Sequence, residues 1–335
     1  MDITKHDNIT NRRSFLKTVS FCSGIYLFQP FAFGSNENRT ILRFGLIADV
    51  HQDVMHDGRQ RIKAFAEAMN EAKADFVCQL GDFCWPHERN RGFLERWKQF
   101  DGRRYHVLGN HDMDGGYTRK QTVAFWGMPG KHYSFDNKGV HVMVLDGNDP
   151  GGKSKGYKRY ISEKQLSWIS ADLRATSLPT IVFIHQALDD STGVENSEDV
   201  RKVLEEAKTK TGQKKVVACF CGHHHDDQAK QINGIHYIRI NSASYTWLGS
   251  KFKHESYGKD IHREFPWISH TAPYKDPLWA FVEMDLTKGH LVVRGKKTSW
   301  VGPTPWELGI AKETKDPNVC APRISDRAIS FLNKT

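Results

Sequence analysis

Five apolar runs, ILRFGLIAD, DFVCQLGD, RYHVLGNHD, TIVFIH and KVVACFCGHHH, each end in a polar block whose side chains can bind cations. Short apolar runs of this kind read as strands buried on both faces, as in a parallel sheet covered by helices. Chemistry in such sheets collects beyond the carboxyl ends of the strands. Asp49 and His51, Asp82, Asn110 with His111, His185, and His223 with His225 can therefore converge at one sheet edge, although they lie far apart in sequence.

The intervening pattern fits an α/β fold. Residues 41–48 read as a buried strand and Arg59 to Lys73 as a helix with Ile62, Phe65, Ala66 and Met69 on one face. Strands follow at 76–80, 105–108, 140–145, 180–184 and 215–221. Ser162 with Gln165 three residues on predicts the start of a helix carrying Leu166, Ile169 and Leu173, and Glu198 to Lys208 predicts another. Asn233-Gly234 joins two strands as a hairpin, and a last hairpin is expected around Lys288-Gly289. At 335 residues the chain has room for one large domain or two ordinary ones, and no linker forces two.

Taken singly, each polar block is weak evidence, because a histidine at a strand end is more often structural than a ligand. Asp49-Val50-His51 offers two ligands that can reach one ion, and a carboxylate such as Asp82 can bridge a pair of cations. In Gly109-Asn110-His111-Asp112 the glycine permits a tight turn, Asn110 supplies an amide oxygen, and His111 followed by Asp112 can form an imidazole held in one tautomer. His223 and His225 repeat the two-residue spacing of Asp49 and His51.

In this order the blocks resemble the calcineurin-like metallophosphoesterase superfamily, whose pattern is D-x-H, G-D, G-N-H-D/E, H and G-H-x-H; the resemblance covers roughly residues 41 to 240. It implies a four-layer α/β/β/α sandwich of two mixed β-sheets flanked by helices, with the metal site at the strand carboxyl edge. It also implies one ion held by Asp49, His51, Asp82 and His225 and a second held by Asp82, Asn110, His185 and His223. His111 would then face the substrate with Asp112 as its orienting partner, and His224 would point elsewhere. Imidazole, carboxylate and amide ligation suits Mn, Fe, Zn or Co better than Mg or Ca. Two such ions roughly 3.5 to 4 Å apart can activate a shared hydroxide and clamp both oxygens of an in-line displacement. Proton donation by His111 to the leaving oxygen is worth about 10²- to 10⁴-fold.

Two departures narrow the subfamily. Purple acid phosphatases carry a tyrosine three residues after the bridging aspartate, where this chain has Trp85, so purple colour is not expected. The frequent His-His-Pro of the fourth block is His185-Gln186-Ala187 here, which keeps the ligand and alters what surrounds the leaving group.

At the N-terminus, Asn11-Arg12-Arg13-Ser14-Phe15-Leu16-Lys17, an apolar stretch to Phe33 and small residues before Ser35 resemble a twin-arginine export signal. The expectation is removal of residues 1–34 and a periplasmic or secreted enzyme, folded and metal-loaded before export; no segment reads as a membrane span. The formal charge is +9; losing Lys5, Arg12, Arg13 and Lys17 together with Asp2 and Asp7 leaves +7. This excess suits anionic substrates, although a lysine-biased solvated surface accounts for it equally well. The five cysteines after Cys22 are odd in number and irregular in spacing, which argues against a disulfide framework.

The expected divisions are the signal at 1–34, a catalytic domain at 41–295 with an aromatic-rich insert at 245–277, and an irregular tail at 296–335 packed on the domain. The insert reads as a lid or as packing for the sheet edge, with Lys251, His254, His262, Arg263 and His270 as possible phosphate or sugar contacts. The favoured function is binuclear-metal-dependent hydrolysis of small phosphomonoesters or phosphodiesters. A nuclease of the same superfamily is the enzymatic alternative, but the chain lacks the basic stretches interleaved with aromatics that track a phosphate backbone. A non-catalytic metal-bound scaffold is the third reading, and it sits poorly with an intact ligand set.

Overall fold

Residues 40–331 are described by the computed structural model, and the export signal expected at 1–34 lies outside them. The first strands are β1 (Ile41–Ile47), β2 (Phe76–Gln79), β3 (Arg103–His106), β4 (Tyr133–Asn137) and β5 (Val140–Val144). They are followed by β6 (Thr180–Phe183), β7 (Val216–Cys221), β8 (Ala229–Ile232), β9 (Ile235–Arg239), β10 (Tyr245–Trp247), β11 (Thr271–Pro273), β12 (Ala280–Asp285), β13 (His290–Arg294) and β14 (Arg327–Ser330). The helices are α1 (Gly58–Glu71), α2 (Arg91–Trp97), α3 (Arg119–Trp126), α4 (Glu163–Ala175), α5 (Ser197–Glu206) and α6 (Lys259–Glu264).

Two six-stranded mixed sheets result, in the orders β14-β13-β12-β1-β2-β3 and β4-β5-β6-β7-β9-β8, with β10-β11 as a separate ribbon. The strands that carry the polar blocks run parallel: β1 with β2, β2 with β3, and β6 with β7. The period of two divides their side chains between two cores. Val142 and Val144 of β5, Ile181 and Phe183 of β6, and Ala218 and Phe220 of β7 pack in the core shared with the first sheet. The alternate residues Met143, Val182, Cys219 and Cys221 pack with Leu166, Ile169 and Leu173 of α4 and Val200 and Leu204 of α5. Between the sheets, Phe44 of β1 meets Phe183 and Phe220 at ring-centroid distances of 5.8 and 6.0 Å. On the outer face of the first sheet, Phe65 of α1 stacks on Trp97 of α2 at 5.9 Å. The two mixed sheets flanked by helices are those expected.

The Asn233-Gly234 turn has both residues at positive φ, as a two-residue hairpin requires. All five cysteines among the described residues are buried and free. No helix among the described residues is long and apolar enough to cross a membrane.

The tail departs from expectation. It is irregular up to residue 326, but β14 then pairs antiparallel with β13 and sets Ile329 opposite Leu291 in the core. β13 would otherwise leave an unpaired edge, and a four-residue strand is enough to cover it. The aromatic-rich insert is ordered and contains β10, α6 and β11.

Candidate metal centre

Loops at the carboxyl ends of β1, β2, β3, β6 and β7 bring the ligand-type residues into two clusters. In the first, His225 Nε2 lies 3.3 Å from both His51 Nε2 and Asp49 Oδ1. In the second, His185 Nε2 lies 3.2 Å from Asp82 Oδ2, from Asn110 Oδ1 and from His223 Nδ1. Asp82 Oδ2 is also 3.7 Å from His51 Nε2, so one carboxylate oxygen faces both clusters. The other oxygen, Oδ1, accepts a 2.8 Å hydrogen bond from the His111 backbone N–H.

Hydrogen bonds on the far side of the rings set the tautomers. Nδ1 of His185 donates to the Leu80 carbonyl at 2.8 Å and Nδ1 of His225 to the Tyr245 carbonyl at 2.7 Å. In the neutral ring this leaves the lone pair on the inward-pointing Nε2, which faces carboxylate and amide oxygens that also only accept. Cations satisfy such a set, and Asp49, His51 and His225, and separately Asp82, His185 and His223, are spaced to hold one ion each. Burial favours the neutral imidazole strongly, drawing His51 down to about 3 and His223 well below the usual range. At His185 burial acts the same way but is outweighed by the charge of Asp82, which lifts it to about 9. Asp82 is itself held well below the ordinary carboxylate range, burial being outweighed by His185 and His111. The pocket attracts positive charge.

The backbone here is strained. Asp49, His51, Asp82, His223 and His225 all adopt positive φ, between 49 and 72°. Only a few per cent of non-glycine residues do so, and clusters of them mark sites where geometry overrides conformational preference. Gly81, at φ 99°, and Gly222 allow the close approach: a Cβ on the first would strike the His185 ring, and on the second the Asp49 carboxylate. Ser242 Oγ donates to the Asp49 carbonyl at 2.9 Å and Ser244 Oγ to the Val50 carbonyl at 2.8 Å, clamping the first ligand loop. Neither serine stands out in the sequence.

His111 lies beside both clusters, its ring 5.5 Å from that of His51. Asp112 does not orient it. The Asp112 carboxylate is buried and accepts backbone N–H groups of Asp82 at 2.9 Å, Phe83 at 2.7 Å and Gly109 at 2.7 Å, bracing the two ligand loops from behind. The carboxylate on His111 is Asp114, whose Oδ2 is 2.7 Å from Nδ1. Tyr157 covers the pair: its hydroxyl donates to Asp114 Oδ1 at 2.9 Å and lies 3.0 Å from His111 Nδ1. Burial works against the imidazolium of His111, but Asp82 and Asp114 outweigh it and raise His111 to about 9. His224, as expected, turns away, with Nε2 2.9 Å from Thr192 Oγ1.

Of the residues expected to contact substrate from the insert, His262 is engaged within it, accepting from the backbone of Ser256 and Tyr257 at 3.0 and 3.1 Å. Arg263 pairs with Asp260 on the surface of α6 at 2.8 Å. Lys251 lies over the Phe252 ring at 5.4 Å. His254 and His270 line an open depression of about 580 Å³. The part of the insert that reaches the clusters is Tyr245, whose ring lies 5.0 Å from His51 and 4.9 Å from His225.

The family model of the calcineurin-like phosphoesterases matches residues 42–227. None of the curated protein sequences matches the chain. Among solved structures, a dimetal phosphatase from Danio rerio is 16% identical and superposes with a TM-score of 0.57 over 87% of this chain and 99% of its own. The inner-membrane-complex anchor GAP50 of Plasmodium is also 16% identical, with a TM-score of 0.54 over 88% of this chain and 90% of its own. At that identity the likeness is one of fold.

Proposed function

Because the chain belongs to the calcineurin-like phosphoesterase family, we propose that it is a binuclear-metal-dependent hydrolase of small phosphoric monoesters or diesters. The observation that carries this reading is Asp82 Oδ2, which lies 3.2 Å from His185 Nε2 of its own cluster and 3.7 Å from His51 Nε2 of the other. Asp49, His51, Asp82 and His225 would hold one ion and Asp82, Asn110, His185 and His223 the other; Mn, Fe, Zn and Co suit these donors. When bound, the ions supply Lewis acidity toward the phosphoryl group and lower the pKa of water.

The chain's own residues do the rest. The strained loops fix the ligands before substrate arrives, so little reorganisation accompanies the reaction. His111, when protonated, would give its Nε2 proton to the leaving oxygen or offset phosphoryl charge, while Asp114 and Tyr157 fix Nδ1 on its other side. Export by the twin-arginine route belongs to the same reading and is tested by fusing residues 1–39 to a reporter and replacing Arg12 and Arg13 with lysine.

The deciding experiment reconstitutes metal-depleted protein with Mn, Zn, Fe or Co and assays p-nitrophenyl phosphate and bis-p-nitrophenyl phosphate. Turnover with at least one ion, abolished in Asp82→Asn, is expected. A protein that binds two ions and turns over neither ester is a scaffold.

A further inference from the structure

We propose that Trp247 is the platform on which the substrate's leaving group stacks, and that this group carries a flat aromatic ring, as a nucleoside does. The inference rests on the hydrolase reading above and adds the class of ester. Among the described residues three large apolar side chains are exposed: Tyr157 at 45%, Trp247 at 42% and Trp267 at 55%. Single exposed aromatics need no explanation. Here all three belong to one chain of rings that runs through the metal centre.

The Tyr157 ring lies 4.6 Å from His111, His111 lies 5.5 Å from His51, and His51 lies 5.0 Å from Tyr245. Tyr245 and Trp247 are two apart on β10 and share a face, with ring centroids 6.5 Å apart. Trp247 is stacked on His270 at 5.5 Å with only 4° between the planes, and Trp267 follows 4.9 Å from His270. The series leads outward from the buried ligands to open solvent.

The part of the Trp247 indole that stays exposed beside the parallel His270 ring is extended by another flat ring, which a puckered sugar or an acyclic alcohol is not. Stacking of this kind is tolerant of base identity.

The test compares adenosine 5′-monophosphate with ribose 5-phosphate, which share the phosphate and the leaving oxygen and differ in the base. On metal-loaded wild type the nucleotide is expected to show a KM about 10-fold lower, the size of a base–aromatic stack. Trp247→Ala should erase that difference and leave kcat and KM for ribose 5-phosphate unchanged, Trp247→Phe should keep most of it, and uridine 5′-monophosphate should behave like the adenine nucleotide. Adenosine alone should quench the tryptophan fluorescence of wild type and less so that of Trp247→Ala. Equal KM values in wild type, or a Trp247→Ala effect shared by both esters, overturn the proposal. If no phosphate ester is turned over, the hydrolase reading fails first, and the fluorescence titration still decides whether the platform binds a base.

Discussion

Asp114 Oδ2 lies 2.7 Å from His111 Nδ1, across the single 3₁₀ turn His111–Met113 that Asp114 caps. Asp114, just past the turn, reaches back to His111, while the adjacent Asp112 is carried to another side. The carboxylate fixes the ring orientation that, in the proposed reaction, would present Nε2 to the substrate. Asp114→Asn is therefore expected to lower kcat by about 10- to 100-fold, the usual cost of losing a partner that orients a site imidazole. Metal content should stay at two ions, which inductively coupled plasma spectrometry checks. An unchanged kcat would remove Asp114 from the mechanism.

Asp112 should fail differently. Its substitution by alanine leaves three buried backbone N–H groups, those of Asp82, Phe83 and Gly109, without acceptors. An unsatisfied buried donor costs about 1 to 3 kcal/mol, so Asp112→Ala should lose at least about 3 kcal/mol of stability and, because two ligand loops hang on this carboxylate, metal affinity as well. Calorimetry of Asp112→Ala beside Asp114→Asn separates the brace from the orienting group: a large drop in Tm is expected only for the first.

The residues that gather in the two clusters were legible because each interrupts an apolar run at a strand end, a break in periodicity that needs no tertiary knowledge. Asp49, His51, Asp82, Asn110, His185, His223 and His225 are the residues that the two clusters assemble. Asp112 misled because neighbours in sequence do not share a direction, and only the turn type decides which carboxylate meets His111. Tyr157 left no trace, since it reaches His111 from a glycine- and lysine-rich loop 46 positions away. β14 was hidden for a related reason: an edge strand is defined by its partner, and its four residues carry no pattern of their own.

Removing the ions should destabilise the fold as well as stop turnover. Asp49 and Asp82 are buried at 0% and 3% exposure, and imidazole lone pairs converge on them. Ligand binding to the folded state alone adds about 2.7 kcal/mol per ion at 100 times Kd, which for a chain of this size shifts Tm by roughly 4 °C per ion. A chelator is expected to lower Tm by that order and manganese or zinc in excess to restore it. Identical melting curves with and without chelator would argue against resident ions at these clusters.

Asp149 supplies a pH dependence separable from the metal site. Its carboxylate accepts from Arg119 Nη1 at 2.8 Å, Ser162 Oγ at 2.6 Å and Gln165 Nε2 at 2.9 Å, and pairs with Lys131. Burial raises its pKa, but these donors outweigh burial and hold it below the ordinary carboxylate range. A group depressed in the folded state contributes stability above its unfolded pKa, near about 3.9 for aspartate, and that contribution is lost as pH falls toward the folded value. Asp149→Asn should cost about 1.5 to 3 kcal/mol at pH 7, as loss of a charge-assisted hydrogen-bond partner does, and the gap from wild type should narrow between pH 5 and pH 3. Urea midpoints of the two proteins across that range, both in chelator, measure it; a gap that stays constant down to pH 3 would show that Asp149 acts through packing rather than charge.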